Sequence, residues 1–245
     1  MKKNIGILGN GQLGLALSKL FVRNGFVNTR ISDKILEKRN CTNEENIANS
    51  DILFLCVKPN DINEILKYDF TNKTIVSAMA GIPISMFKDT NSTQIIRIMP
   101  NLPIAHGKGV IMYYSEILAN INISFIRELC KGPLLLPCRD ESLLDTSTIC
   151  VGSLPAFSAY IAKQYIDFSI SKGFSPSEAY RMYFATVEGT LEMMKTSSLE
   201  HIIQSVSSPK GTTQLAISYL ERANIKEIIH ESLEISYRHI KKLKD

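Results

Sequence analysis

Ile5-Gly6-Ile7-Leu8-Gly9-Asn10-Gly11-Gln12-Leu13-Gly14, a short apolar run that turns through three spaced glycines, decides the fold. A strand passing through such a turn into a helix is the fingerprint of a dinucleotide site. Gly9 permits the tight turn, Gly11 keeps the backbone clear for a pyrophosphate, and Gly14 lets the helix lie close on the strand. Asn10, Gln12 and Leu13 supply amides around those phosphates, which also meet the positive end of the helix. Leu13, Leu17, Leu20 and Phe21 recur at helical spacing, Gly25 stops the helix, and Val27 to Ile31 reads as a second strand. That order is the βαβ unit the fingerprint needs.

Strand-like runs continue at Ile52 to Cys56, Thr74 to Ala78, Gln94 to Ile98, Val110 to Tyr114 and Leu134 to Leu136. Asp61 to Lys67 and Ile123 to Leu129 carry helical spacing between them, as a doubly wound, mainly parallel sheet expects. Beyond Asp140 only helical periodicity remains. The expected division is therefore residues 1–139, a dinucleotide-binding domain, and 140–245, an all-helical domain. In the second half Phe157, Tyr160, Ile161, Tyr165 and Phe168 form one apolar stripe ended by Gly173. Ser175-Pro176-Ser177-Glu178 reads as an N-cap, a first-turn proline and a capping-box acid opening a helix through Met194. Ser197 with Glu200 repeats the cap pattern, and Thr212 to Leu220 and Asn224 to Leu243 complete the set. Tyr160, Phe168 and Met194 are expected in a core, part of it formed against a second copy of the chain. A homodimer or higher homo-oligomer is the expectation.

Composition narrows the partners. A 245-residue chain with 44% apolar residues and a formal charge of +4 has no basic, aromatic-studded patch for nucleic acid. The basic tail Arg238, Lys241, Lys242 and Lys244 complements a helix C-terminus. Five cysteines without a CxxC pair suggest reduced thiols, and four scattered histidines give no metal site. No apolar run reaches membrane-spanning length and no signal-peptide core opens the chain, so a cytoplasmic protein is expected.

Several positions admit two readings. Asp33 lies nineteen positions after Gly14, where an acid accepts the ribose hydroxyls of NAD, yet Ser32 and Lys34 beside it suit a ribose phosphate, and Asp33 could equally cap a turn. Val57-Lys58-Pro59 and Met99-Pro100-Asn101 follow strands at the carboxyl edge of the sheet, either bordering a cofactor or serving as ordinary proline turns. Ser207-Ser208-Pro209-Lys210-Gly211-Thr212-Thr213 lies where a helix begins, offering amides and hydroxyls to a carboxylate, or a cap through Ser208 or Thr212.

Taken in chain order, the opening fingerprint, Val57-Lys58-Pro59, Ser77 with Ala80-Gly81, Met99-Pro100-Asn101, Gly152-Ser153 before Pro155-Ala156, and Ser208-Pro209 before Gly211-Thr212-Thr213 resemble the pyrroline-5-carboxylate reductases nearly end to end. The resemblance implies a Rossmann-type domain holding NADPH or NADH through residues including Ala80, Met99 and Asn101, and a helical domain that dimerises. It implies that Ser208, Lys210, Gly211, Thr212 and Thr213 hold the carboxylate of a five-membered cyclic imine, which takes a hydride from the cofactor to give proline. A protonated iminium is already electrophilic, so no catalytic acid is assigned. Three departures cluster near the expected substrate: Lys210 replaces a glycine, Val151-Gly152-Ser153-Leu154-Pro155-Ala156 lacks a serine and a glycine of the family pattern, and Leu102 replaces a threonine. They leave a different cyclic imine, or nucleotide binding without turnover, as alternatives. The β-hydroxyacid dehydrogenases share the opening, but Lys163 is followed at one turn by Asp167 where they carry asparagine.

Overall fold

The computed structural model describes residues 3–116 and 121–242. Lys244 of the basic tail and Leu243 at the end of the last expected helix lie outside the described residues. The chain forms two compact units, one running through Pro155 and regaining the stretch from Ser236, the other running from Ala156 to Ile235.

In the first unit, strands β1 (Ile5–Leu8), β2 (Arg30–Ser32), β3 (Ile52–Leu55), β4 (Thr74–Ser77), β5 (Gln94–Pro100), β6 (Val110–Tyr114) and β7 (Leu134–Pro137) make one sheet in the order β2-β1-β3-β4-β5-β6-β7. The first five run parallel, β6 is antiparallel to β5, and β7 is parallel to β6. The second strand is shorter and later than Val27 to Ile31 implied, because Val27 and its neighbours belong to the connection after helix α1 (Gln12–Arg23). The chain leaves β1 to one side for β2 and to the other for β3, so the end of β1 is the switch point where such sheets bind ligands.

The apolar runs are unbroken because both faces are covered. Ile52 and Phe54 point into one cluster with Leu17, Leu20 and Phe21 of α1, where the Phe21 and Phe54 rings meet at 4.9 Å. Leu53 and Leu55 point into the other cluster with Ile47, Ile62 and Ile65. Those last three come from helices α2 (Asn43–Ala48) and α3 (Ile62–Ile65). Helix α2 is one the apolar periodicity missed. Its sequence signal is the capping box Thr42 with Glu45, in which each side chain bonds the other's backbone amide. Helix α4 (Ile121–Leu129) precedes β7.

After β7 come helix α5 (Ser142–Ser147) and one π-helical turn, Thr148–Ser153. The remaining helices are α6 (Leu154–Ser171), α7 (Pro176–Met194), α8 (Leu199–Val206), α9 (Thr212–Arg222) and α10 (Ile225–Lys242). Helix α7 starts on the expected box, with Ser175 and Glu178 bonding reciprocally and Pro176 in the first turn. Ser198, rather than Ser197, caps α8 by accepting the His201 amide. Tyr160, Tyr165 and Phe168 are 66%, 61% and 63% exposed, and Met194 is 44% exposed. The expected core is therefore not closed within the single chain: the stripe marks residues that need burial without specifying what buries them.

Candidate functional site

At the switch point, the three glycines of the opening loop do different work. Gly9 has a φ of +95°, and a Cβ there would stand 2.7 Å from the Cys56 backbone at the end of β3. A Cβ on Gly14 would lie 2.0 Å from the Gly9 carbonyl oxygen, so the helix could not approach the turn. A Cβ on Gly11 would meet nothing within 4 Å, which identifies it as the glycine that faces open space. Gly11 also caps α1 without a side chain, and the first turn of α1 carries no acid. The amides of Gln12, Leu13 and Gly14 have no partner within the helix and carry its positive dipole end, a fitting cradle for a pyrophosphate. Leu13 packs on the core while Gln12 is exposed. Asn10 Oδ1 is buried without a hydrogen-bond partner among the described residues.

Asp33 closes this loop from the end of β2. Its Oδ2 accepts the Asn10 amide at 2.6 Å, and its Oδ1 accepts the Ile35 amide at 2.8 Å. Asp33 thus caps the turn after β2 and is tied to the glycine-rich loop at Asn10. Asn10 donates its side-chain amide to the Lys38 carbonyl at 2.7 Å. The Ser32 side chain is buried, where its hydroxyl oxygen accepts a hydrogen bond from Asn46. Asn46, unremarked in the sequence, also donates to the Ile7 carbonyl and so ties the ends of β1 and β2 together. Lys34 reaches Asp61 and Glu64, each at 2.9 Å, and these hydrogen bonds raise its pKa. A cavity of about 260 Å³ opens beside Asp33, lined also by Lys34, Arg39, Thr42, Asn43, Glu44 and Tyr68.

The remaining first-unit residues sit along the strand ends. Val57 packs on the core beside Gly9, Lys58 is exposed, and Pro59 opens a single 3-10 turn. Ala80 packs on a small cluster with Met99, whose side chain is buried and available to a ligand only through its backbone. The Asn101 side chain is engaged within the first unit. Its Oδ1 accepts the Val110 amide at 3.0 Å and its Nδ2 donates to the Val151 carbonyl at 3.3 Å, so the side chain braces the turn against the π-helical segment. A π turn lengthens the helix by one residue locally and recurs at functional sites. Here it carries Gly152 and Ser153.

In the second unit, Ser208-Pro209-Lys210-Gly211 is a β-turn in which the Gly211 amide donates to the Ser208 carbonyl at 2.9 Å. Lys210 has a φ of +61° at the third position, where a turn with proline second usually carries glycine. Gly211 is the N-cap of α9 and no side chain caps this helix, which corrects the cap expected of Ser208 or Thr212. The first turn of α9 holds no acid. The amides of Thr212 and Thr213, their hydroxyls, and the Lys210 ammonium are thus the groups this turn can offer an anion. Ser207 Oγ, just before the turn, is buried without a partner among the described residues. Lys163 of α6 is paired with Asp167 one turn later. Among the described residues no group of three histidines, cysteines or acids could hold a metal, and no helix is long and apolar enough to cross a membrane.

Comparisons with known proteins find matches to both the first and the last parts of the chain. The family model described as "Pyrroline-5-carboxylate reductase dimerisation" matches residues 141–243, and that described as "NADP oxidoreductase coenzyme F420-dependent" matches residues 4–81. The chain is 33% identical to a pyrroline-5-carboxylate reductase of Aquifex aeolicus over 98% of its own length and 97% of the relative's. It is 28% identical to one of Corynebacterium melassecola over 94% of each. Among solved structures, the pyrroline carboxylate reductase of Plasmodium falciparum with NADP bound aligns over 100% of this chain and 99% of that one, with a TM-score of 0.89 at 23% identity. A reductive aminase of Aspergillus terreus in complex with NADPH and ethyl levulinate shares the fold more loosely, with a TM-score of 0.60 at 16% identity over 99% of this chain and 95% of that one.

Proposed function

The chain belongs to the pyrroline-5-carboxylate reductase family, and from that premise we propose that it reduces 1-pyrroline-5-carboxylate to proline with NADPH or NADH. Two acid-free helix starts carry this reading, one in each unit, each opened by a glycine. The start of α1 suits a pyrophosphate and the start of α9 suits a single carboxylate. When bound, the reduced nicotinamide supplies a hydride to the imine carbon. The substrate nitrogen, protonated beforehand, keeps its proton and accepts the π electrons as the C–H bond forms. The chain's own part is then to bind and orient: Gly9 to Gly14 hold the phosphates, and Gly211, Thr212, Thr213 and Lys210 hold the carboxylate.

We assign the substrate turn to a helical domain taken from residue 140 onward. The exposed rings of Tyr160, Tyr165, Phe168 and Phe184 are apolar surface that a second copy of the chain covers. A homodimer or larger homo-oligomer is the proposed state, read by light scattering at micromolar concentration, where a monomer mass rejects it. Reduced thiols and use of a reduced nicotinamide fit the cytoplasm.

Oxidation of NADH or NADPH on addition of the imine tests the activity. A panel of five- and six-membered cyclic imines tests the substrate, and a preference for a six-membered ring overturns the proline assignment while keeping the reductase.

A further inference from the structure

We infer that Asn101 is a positioning residue: its side chain stands in for an amide that Pro155 cannot supply, and so fixes the π-helical turn beside the nicotinamide half of the site. This rests on the proposed reductase function and adds a residue that acts on the reaction through the Val151 carbonyl.

The sequence creates the need. In an α-helix the Val151 carbonyl would accept the amide four residues on, and that residue is Pro155, which has no N–H. A proline ring also crowds the carbonyl one turn before it, and here the π turn Thr148–Ser153 stands directly before α6. Asn101 Nδ2 donates to the Val151 carbonyl at 3.3 Å from outside the helix. Its Oδ1 accepts the Val110 amide at 3.0 Å, so this buried side chain is held at both ends.

Strand β5 brings the donor there. Arg97, Met99 and Asn101 are alternate residues of an extended stretch and share a face. Arg97 bonds to Glu141 and Asp145, Met99 packs with Leu144, and a Cβ on Gly152 would lie 3.7 Å from the Met99 sulfur. Steps along β5 thus meet the segment from α5 into the π turn, and Asn101 is the last of them. The end of β5 lies at the carboxyl edge of the parallel strands, on the far side of β1 from β2. A dinucleotide astride the end of β1, with its adenosine toward β2, extends its nicotinamide toward this edge. Because the phosphates are held at the start of α1, a shifted π turn should cost rate more than binding.

Amide hydrogen exchange of the nucleotide-free chain, set beside imine kinetics, tests this. Asn101→Asp keeps an acceptor for the Val110 amide and loses the donor to Val151. Exchange from Leu144 to Ala156 should quicken about fivefold or more, while that of β1 to β4 stays as in the native protein. The kcat for the imine should fall about tenfold, with KM and the nucleotide Kd each within about twofold of native. Pro155→Ala returns an amide to the Val151 carbonyl, so in that background Asn101→Asp should cost less than about threefold in kcat. Unchanged exchange would overturn the brace. Quickened exchange with unchanged kcat, an equal loss in both backgrounds, or loss of the native circular dichroism in Asn101→Asp would overturn the positioning role and leave the reductase reading intact. A native chain that does not reduce the imine would sink the reductase reading, with the brace still decided by exchange.

Discussion

Arg97 Nη2 lies 3.2 Å from Asp145 Oδ1, and both side chains are almost sealed from water, at 2% and 5% exposure. The same guanidinium reaches Glu141 Oε1 at 2.8 Å, and that oxygen also accepts the Ile84 amide. A strand residue of the sheet thereby fixes both the N-cap residue and the first turn of α5, the helix that leads into the π-helical segment. Breaking a buried ion pair by removing one partner typically costs about 3–5 kcal/mol. Arg97→Met should lower the unfolding free energy in urea by that order, and Arg97→Met/Asp145→Leu should recover part of it. A loss below about 1 kcal/mol in the single variant would contradict a structural role for the pair.

Gly11 and Gly14 should separate binding from stability. Because a Cβ on Gly11 meets open space, Gly11→Ala should cost less than about 1 kcal/mol of stability while weakening nucleotide binding roughly tenfold or more. Gly14→Ala forces a Cβ against the Gly9 carbonyl, and overpacking of that kind costs about 1–3 kcal/mol. Thermal unfolding together with nucleotide titration reads both. Equal losses of stability in the two variants would show that Gly11 is needed for folding rather than for a ligand.

Lys210 holds a left-handed backbone that glycine adopts without strain. Lys210→Gly should raise stability by up to about 1 kcal/mol. It should also raise KM for the imine several-fold while changing kcat little, since a charge that helps hold the carboxylate acts before hydride transfer. An unchanged KM would remove the lysine from the substrate turn.

Burial pushes the Cys130 thiol from its ordinary value of 9.0 up to about 12. The folded state therefore keeps a proton that the unfolded chain releases more readily. Stability from this group is complete below pH 9 and declines as pH rises from about 9 toward 12. The alkaline limb of a stability profile should flatten in Cys130→Ala relative to the native protein. Parallel limbs would mean that this thiol does not titrate on unfolding.

The first unit was legible because its signals are local: three glycines, apolar runs of strand length, and a helix stop at Gly25. Arg97 was not, because only its neighbours were read. A charge amid Gln94 to Ile98 was itself the signal of a buried pair, but its partners come from residues more than forty positions on. Ser32 and Asn101 carried the right chemistry at the right strand ends, yet sequence position does not say which way a side chain turns. In the second unit, helix boundaries followed their caps to within a residue or two, as at Ser175. The fate of Tyr160 and Phe168 was hidden for a different reason: apolar periodicity records the need for burial and is silent about whether the same chain provides it.

The most direct test of the account is the rate of NADH and NADPH oxidation when purified protein is given 1-pyrroline-5-carboxylate. Coenzyme-dependent formation of proline is predicted, and it should be strongly reduced in Thr212→Val/Thr213→Val, which removes the two hydroxyls while leaving the glycine loop untouched. Absence of turnover above background with both coenzymes, in a protein that binds nucleotide, would contradict it.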